Sequence, residues 1–337
     1  MVSRMRIAAT VLVLTLMATL PAFAAPKVVG VGAIGMTVAD MERSVAFYTE
    51  VLGFRTLSDA EFHDPRFDRL TGVFGARVRV VRLALGKEEV ELTEYLTPSC
   101  RPVPPDSRSN DGWFQHIAIV VRDMDAAWER LRKHRVKPIS VAPQRIPDWN
   151  RAAAGIRAFY FRDPDGHPLE LIWFPAGKGD PRWQEKTEGL FLGIDHTAIA
   201  VGDTEQSLAF YRDTLGLAVA GESLNHGIEQ EYLNHVFGSR VRITGLKAPA
   251  GPGIEFLEYV VPRDGRPYPD DARPCDLFHW QVTLRVEEAE GFRGRLAERR
   301  TRFVSPEVVD VTNLGLEGAK ALMVRDPDRH ALRLVEQ

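Results

Sequence analysis

The sequence predicts an α+β protein made of four βαβββ units, a strand and a helix followed by three strands. Three observations carry this prediction. One short pattern recurs four times: an alternating apolar strand that reaches an acidic helix cap and then an apolar-periodic helix. The copies fall into two pairs related by a constant offset, and strand-rich runs follow the helices. Repeats of this size mean one supersecondary unit that cannot bury its apolar face alone.

The first copy reads Ala33-Ile-Gly-Met-Thr-Val-Ala-Asp40 and continues over 41–53. Asp40 caps a helix whose apolar residues Met41, Val45, Tyr48 and Leu52 follow helical spacing, and Gly53 stops it. The runs 77–85 and 90–95 are β-rich. The second copy, His116-Ile-Ala-Ile-Val-Val-Arg-Asp123, leads into Met124, Trp128 and Leu131. The third, His196-Thr-Ala-Ile-Ala-Val-Gly-Asp203, is followed by Thr204, Leu208, Tyr211, Leu215 and Gly216. The fourth, Gln281-Val-Thr-Leu-Arg-Val-Glu-Glu288, is weaker but in register.

Asp40 and Asp203 stand 163 positions apart, and so do whole motifs. Ser44-Val-Ala-Phe-Tyr48 maps onto Ser207-Leu-Ala-Phe-Tyr211, and Val73-Phe-Gly-Ala-Arg-Val-Arg79 onto Val236-Phe-Gly-Ser-Arg-Val-Arg242. Asp163-Pro-Asp-Gly-His167 maps onto Asp326-Pro-Asp-Arg-His330. The halves, 29–176 and 192–337, therefore read as duplicate domains of two units each. The polar stretch 177–191 between them reads as a linker.

A chain of 337 residues has room for two substantial cores. A formal net charge of -3 gives no electrostatic case for nucleic acid or an anionic membrane as partner. Arg4 and Arg6, the apolar run 7–20 and Ala22-Phe-Ala24 form a signal peptide over 1–24. The expectation is an exported protein, periplasmic or secreted, that starts near Ala25 and stays off the membrane after cleavage. Cys100 and Cys275 are the two cysteines. They occupy non-equivalent loop positions in the two halves and are expected as unpaired thiols.

Strand alternation selects candidate site residues. If Ile117, Ile119 and Val121 face the helix, His116, Ala118 and Val120 face the other way. The same logic aligns Ala33, His196 and Gln281 with His116. A second column, in the late strands, holds Glu91, Glu170, Glu255 and Arg333. A charge inside such a strand needs an ion or a partner. Arg77, Arg79 and Trp149 are candidates for holding substrate. Glu94 and Glu258 fall on the opposite strand face. His167 and His330 read as turn residues, and His279 as surface or loop.

The βαβββ order, with Phe-Tyr-x-x-x-Leu-Gly and Asp-Pro-Asp-Gly-His-Pro-Leu-Glu-Leu, resembles the vicinal oxygen chelate superfamily. That superfamily includes glyoxalases, extradiol dioxygenases and bleomycin-binding proteins. The resemblance implies two cupped mixed-sheet domains, each of two units, with the two columns as metal-ligand positions. Domain 1 would then hold one divalent ion (Zn, Ni, Fe or Mn) through His116, Glu170 and Glu91, with Ala33 leaving a position open. Glu91 or Glu170 would act as general base. Domain 2 would offer His196, Glu255 and Gln281, with Arg333 beside Glu255 disfavouring a dication. The resemblance implies a glyoxalase-like lyase or isomerase acting on a small molecule that chelates metal through vicinal oxygens; a homodimer is allowed. An extradiol dioxygenase is an alternative, although neither domain supplies two histidines and a glutamate. A metal-free ligand-binding protein is another, supported by Ala33 and Arg333.

Overall fold

The first unit begins with an eleven-residue strand that runs into the Asp40 cap. The computed structural model describes residues 27–185 and 188–337, so the expected export signal lies outside the described residues. This unit comprises β1 (Val28–Val38), α1 (Met41–Ala46), β2 (Arg55–Phe62), α2 (Pro65–Thr71), β3 (Arg77–Leu85) and β4 (Glu88–Thr97). The second has β5 (Gln115–Val121), α3 (Met124–Lys133), β6 (Lys137–Pro138), β7 (Gln144–Arg145), β8 (Arg157–Arg162) and β9 (Pro168–Trp173). The third has β10 (Phe191–Val201), α4 (Thr204–Tyr211), β11 (Ala218–His226), α5 (Ile228–Asn234), β12 (Arg240–Lys247) and β13 (Gly253–Val261). The fourth has β14 (Trp280–Val286), α6 (Ala289–Glu298), β15 (Arg302–Phe303), β16 (Val309–Asp310), β17 (Lys320–Arg325) and β18 (Ala331–Glu336).

Three helices start on the predicted aspartates. Asp40, Asp123 and Asp203 are extended, and each accepts a hydrogen bond from the backbone N–H three residues on. That satisfies one of the orphan donors of the first turn. Glu288 caps α6 by position but makes no such side-chain bond, in keeping with the weaker fourth copy.

Two nine-stranded mixed sheets result, and their partnering corrects the expected domain composition. One sheet runs β15-β17-β18-β14-β1-β4-β3-β2, joining the first unit to the fourth. The other runs β11-β12-β13-β10-β5-β9-β8-β6, joining the second to the third. In each sheet the leading strands of two units pair antiparallel at the centre, β1 with β14 and β5 with β10. Each leading strand also pairs parallel with the last strand of its own unit, as β5 does with β9 and β10 with β13. The offset of 163 reports which segments are alike, not which strands bond, so it could not choose the partner.

The halves 29–176 and 192–337 are joined internally by helices instead. Tyr48 Oη, in the π-helical turn Phe47–Val51 that continues α1, donates to Asp163 Oδ2 at 3.3 Å, and Tyr211 Oη of α4 to Asp326 Oδ2 at 2.9 Å. Asp165 accepts from the Ala39 N–H and the Ser44 hydroxyl, and Asp328 from the Gly202 N–H and the Ser207 hydroxyl. The two most conspicuous repeated motifs thus interlock across neighbouring units. His167 and His330 sit at these turns as expected, yet both are buried. The His167 ring reaches the Leu277 carbonyl in the other half, and the His330 ring reaches the Ala200 carbonyl in the third unit.

One continuous apolar cluster fills the helix side of both sheets, with Ile34, Ile117, Ile199 and Val282 among its members. Burying side chains of this size stabilises the fold by roughly 1.5–3 kcal/mol each. The opposite faces form two cups, and alternation along the central strands sends the candidate site residues there.

Cys100 and Cys275 form a disulfide, Cα to Cα 5.6 Å, which corrects the expectation of free thiols. They lie in different halves, but the partnering of the first unit with the fourth brings them together.

Candidate metal centre

The cup of the second and third units gathers four candidate ligands by register alone. His116 lies opposite Ala198, and His196 opposite Ala118. Ala118 pairs in turn with Glu170 on β9, and Ala198 with Glu255 on β13. The two halves of the site are therefore related by a local two-fold. The small residues at 118 and 198 leave the side chains room to converge.

They do converge. Glu170 Oε2 lies 3.0 Å from His116 Nε2 and 3.6 Å from His196 Nε2. Glu255 Oε2 lies 3.5 Å from His196 Nε2. Ligand atoms of His116, Glu170 and His196 all fall within 4.8 Å of one another, and all three residues are buried. Tyr160 and Phe114 wall the His116 ring at centroid distances of 4.9 and 5.6 Å.

The chemistry of this donor set fits a dication. His116 Nδ1 is buried with no hydrogen-bond partner among the described residues, and the Nε2 atoms of both histidines point at carboxylate oxygens. An orphaned buried nitrogen is costly unless it finds a partner. Imidazole nitrogens and carboxylate oxygens are the ligands that Zn, Fe, Ni and Mn take. Burial pushes His116 below the usual histidine range. Burial also lifts Glu255 to about 7. In Glu170 the same burial is outweighed by hydrogen bonds and charge from the two histidines, so its pKa is lowered. His196 goes well above its ordinary value, because Glu255, Asp195 and Glu170 overcome its desolvation.

The other cup has closed on itself. Arg333 Nη1 and Nη2 donate to the two oxygens of Glu91 at 2.7 and 2.9 Å, and both residues are buried. Gln281 Nε2 donates to Glu91 Oε1 at 3.3 Å, and Thr283 accepts from Arg333. Gly35 permits this closure: a Cβ there would stand 2.5 Å from Gln281 Cγ. A cavity of about 20 Å³ remains, bordered by His279, Gln281 and Arg333, roughly the room a single water needs. Phe67, Leu70, Val78, Val80, Val309 and Met323 belong to the apolar cluster on this side.

Several assignments change accordingly. Glu91 does not join His116 and Glu170, so it is neither a ligand of that set nor its base. Gln281 does not join His196 and Glu255. Arg333 pairs with Glu91 rather than Glu255. Each change follows from the sheet partnering. Arg77 and Arg79 face away from the cup, since Val78 and Val80 take the inward positions. Arg77 pairs with Glu61, and Arg79 with Asp59 and with Glu42 of α1. Trp149 stacks on His226 at 4.2 Å, in a loop tied to the third unit through Asn150 and Asn225. His279 is buried, not a surface residue. Glu94 and Glu258 lie on the helix side as expected, accepting from the Met41 and Thr204 N–H groups.

Two residues near the site escaped the sequence reading. Asp195 bonds His196 Nδ1 at 2.9 Å, and Trp183 of the linker donates to Asp195 at 2.7 Å. The adjacency of Asp195 to His196 was a visible signal. Nothing local pointed to Trp183.

The family model for the Glyoxalase/Bleomycin resistance protein/Dioxygenase superfamily matches residues 30–171 and 193–334. A 2-epi-5-epi-valiolone epimerase from Actinomyces sp is 37% identical over 156 residues, covering 45% of this chain and 83% of that protein. A catechol-2,3-dioxygenase from Bacillus subtilis is 23% identical over 269 residues, 69% of this chain and 82% of that protein. Glyoxalase I from Zea mays shares the fold with a TM-score of 0.57 at 17% identity, covering 92% of each chain. These relatives support an enzyme. The chain belongs to the Glyoxalase/Bleomycin resistance protein/Dioxygenase superfamily.

Proposed function

We propose that this protein is an exported, metal-dependent isomerase or lyase that moves a proton beside a carbonyl in a small substrate with vicinal oxygens. The observation that carries this reading is the four-residue set His116, Glu170, His196 and Glu255, with the orphaned Nδ1 of His116. A bound dication in such a site supplies Lewis-acid polarisation of substrate oxygens. His116 and His196 would hold it, with Glu170 as the carboxylate already engaged by both histidines.

Glu255 is the proton carrier in this scheme, in the place first given to Glu91 or Glu170. Its side chain is 24% exposed, against 1% for Glu91 in the closed cup. Across the strands Glu255 faces Gly245, and Gly245 faces Gly221. A Cβ on Gly245 would meet only the Gly221 carbonyl at 3.9 Å, and one on Gly221 nothing within 4 Å, so neither position puts a side chain across from Glu255. In the closed cup the residue across from Glu91 is Arg82, which fills that place. Burial raises the pKa of Glu255 to about 7 before any metal binds, and a carboxylate in such surroundings can take and return a proton. The named epimerase relative agrees with this class of reaction.

The test is proton exchange. Metal-loaded protein is incubated in deuterated water with a panel of small hydroxyketones, and NMR follows exchange at the carbon beside the carbonyl. Exchange that disappears in Glu255→Gln supports the reading; wild-type protein that exchanges none of the panel contradicts it.

A second reading has its own observation. His116, His196 and Glu170 are two histidines and a carboxylate, the set used by non-haem iron oxygenases, and the catechol-2,3-dioxygenase relative points the same way. The objection that no domain supplies this set disappears with the corrected partnering. Oxygen consumption by Fe(II)-loaded protein with catechol decides for it. The case for a metal-free binding protein rested on Ala33 and Arg333, which both belong to the closed cup. Export draws support from the Cys100–Cys275 disulfide, a bond favoured in oxidising compartments. A mature N-terminus at Ala25 is the expected mass-spectrometric result.

A further inference from the structure

We propose that Asp195 and the linker residue Trp183 are positioning residues for the metal centre, locking His196 as its anchored ligand. The inference rests on the metal-centre reading above.

The two histidines of the site are equivalent by register but not by support. Asp195 Oδ2 accepts from His196 Nδ1 at 2.9 Å, which keeps a proton on Nδ1 and aims Nε2 at Glu170 and Glu255. Asp195 is held in turn by Trp183, whose indole Nε1 donates to Oδ1 at 2.7 Å. In the equivalent place before His116 stands Gln115. Its amide donates to Thr197 instead, at 3.0 Å, and His116 Nδ1 is left without a partner. A carboxylate behind a ligating histidine orients the ring and raises its basicity. Only one histidine here has that support.

The linker is built to deliver Trp183. Asp180 caps a short turn at Pro181–Gln184. The Arg182 guanidinium lies 3.8 Å from the centroid of the Trp183 ring and donates to Glu88 Oε1 at 2.6 Å. Glu88 Oε2 also accepts from the Ile194 N–H at 3.1 Å. Gly193 makes the close approach feasible: a Cβ there would stand 2.5 Å from the Glu88 carboxylate and 2.9 Å from the indole ring. The chain Glu88, Arg182, Trp183, Asp195 and His196 therefore connects the closed-cup sheet to a ligand in the other cup. The turn at Pro181–Gln184 is a strut for the site, not a passive tether.

The test uses the full chain and Zn²⁺ alone, with affinity read by competition against a chelating dye. Asp195→Ala should weaken Zn²⁺ binding by about 10- to 100-fold while leaving the stoichiometry at saturation unchanged. Trp183→Phe keeps the ring but removes the N–H, and should weaken binding less, in the same direction. In the Zn²⁺-loaded wild type the His196 Nδ1–H proton should be protected and visible by NMR. It should shift in Trp183→Phe and exchange fast in Asp195→Ala. A merely structural role would lower the melting temperature of metal-stripped protein and leave Zn²⁺ affinity and that resonance alone. Equal affinities in wild type and Trp183→Phe, with an unmoved resonance, overturn the proposal and leave the metal centre standing. If Asp195→Ala does not fold, Trp183→Phe decides alone. A wild type that binds no Zn²⁺ overturns the metal-centre reading and this proposal together.

Discussion

At the scale of single residues, the two cups show what one column of positions becomes under different substitutions. Where the column holds glutamate in both units, two histidines stand with their Nε2 atoms facing the carboxylates. Where it holds Glu91 and Arg333, the charges neutralise each other. A buried pair of this kind owes its cost to desolvation, and removing one partner leaves the other uncompensated. Glu91→Ala should therefore destabilise the protein by about 3–5 kcal/mol in urea denaturation. Glu91→Leu combined with Arg333→Met should recover most of that loss, and neither change should alter the metal bound per chain. His279, beside the same pair, gives a pH signature. Burial, helped by the charge of Arg325, depresses its pKa from 6.5 to about 3. The unfolded chain takes up that proton below 6.5 and the folded chain does not. The stability is intact above 6.5 and falls as the pH drops toward 3, at about 1.4 kcal/mol per unit. Between pH 7 and 5, metal-stripped wild type should lose about 2 kcal/mol more than His279→Leu; equal losses would contradict the assignment.

At the scale of elements, the repeated motifs are locks before they are chemistry. The aspartates of Asp163-Pro-Asp-Gly-His167 hold the start of α1 from the neighbouring unit, through Ala39, Ser44 and Tyr48. Arg43 adds an ion pair to Asp165. Asp165→Ala should cost about 1–2 kcal/mol through the lost hydrogen bonds, read by urea denaturation, with metal affinity unchanged. A change below a few tenths of a kcal/mol would show that the turn is only juxtaposed to the helix. The caps and the alternation were legible because each is a local rule written in a few adjacent residues. The inward direction of His116, Glu170, His196 and Glu255 was legible for the same reason. Arg77 and Arg79 were left open between cup and solvent because a shared face does not say which face it is. Val78 and Val80, apolar and between them, hold that answer.

At the scale of the whole molecule, the information missing from the sequence was the partnering of the four units. A repeat specifies its own interior and a generic edge, but here β1 chose β14 and β5 chose β10. That choice moved Glu91 out of the site, brought His196 and Glu255 in, and set Cys100 against Cys275. It makes the halves interdependent. Residues 27–176 produced alone should bind no metal tightly, and mixing them with 177–337 should restore one binding equivalent, measured by Zn²⁺ titration. Tight binding by the first half alone would mean that each half owns a complete cup.

The central claim is that one cup, assembled from the second and third units, holds the metal and the other cannot. Anomalous diffraction from crystals of the full chain grown with Zn²⁺ tests it most directly. The account predicts a single strong interior peak, ligated by His116, Glu170 and His196, with Glu255 beside it. A peak beside Glu91 and Gln281, or no interior peak in Zn²⁺-saturated crystals, would contradict it.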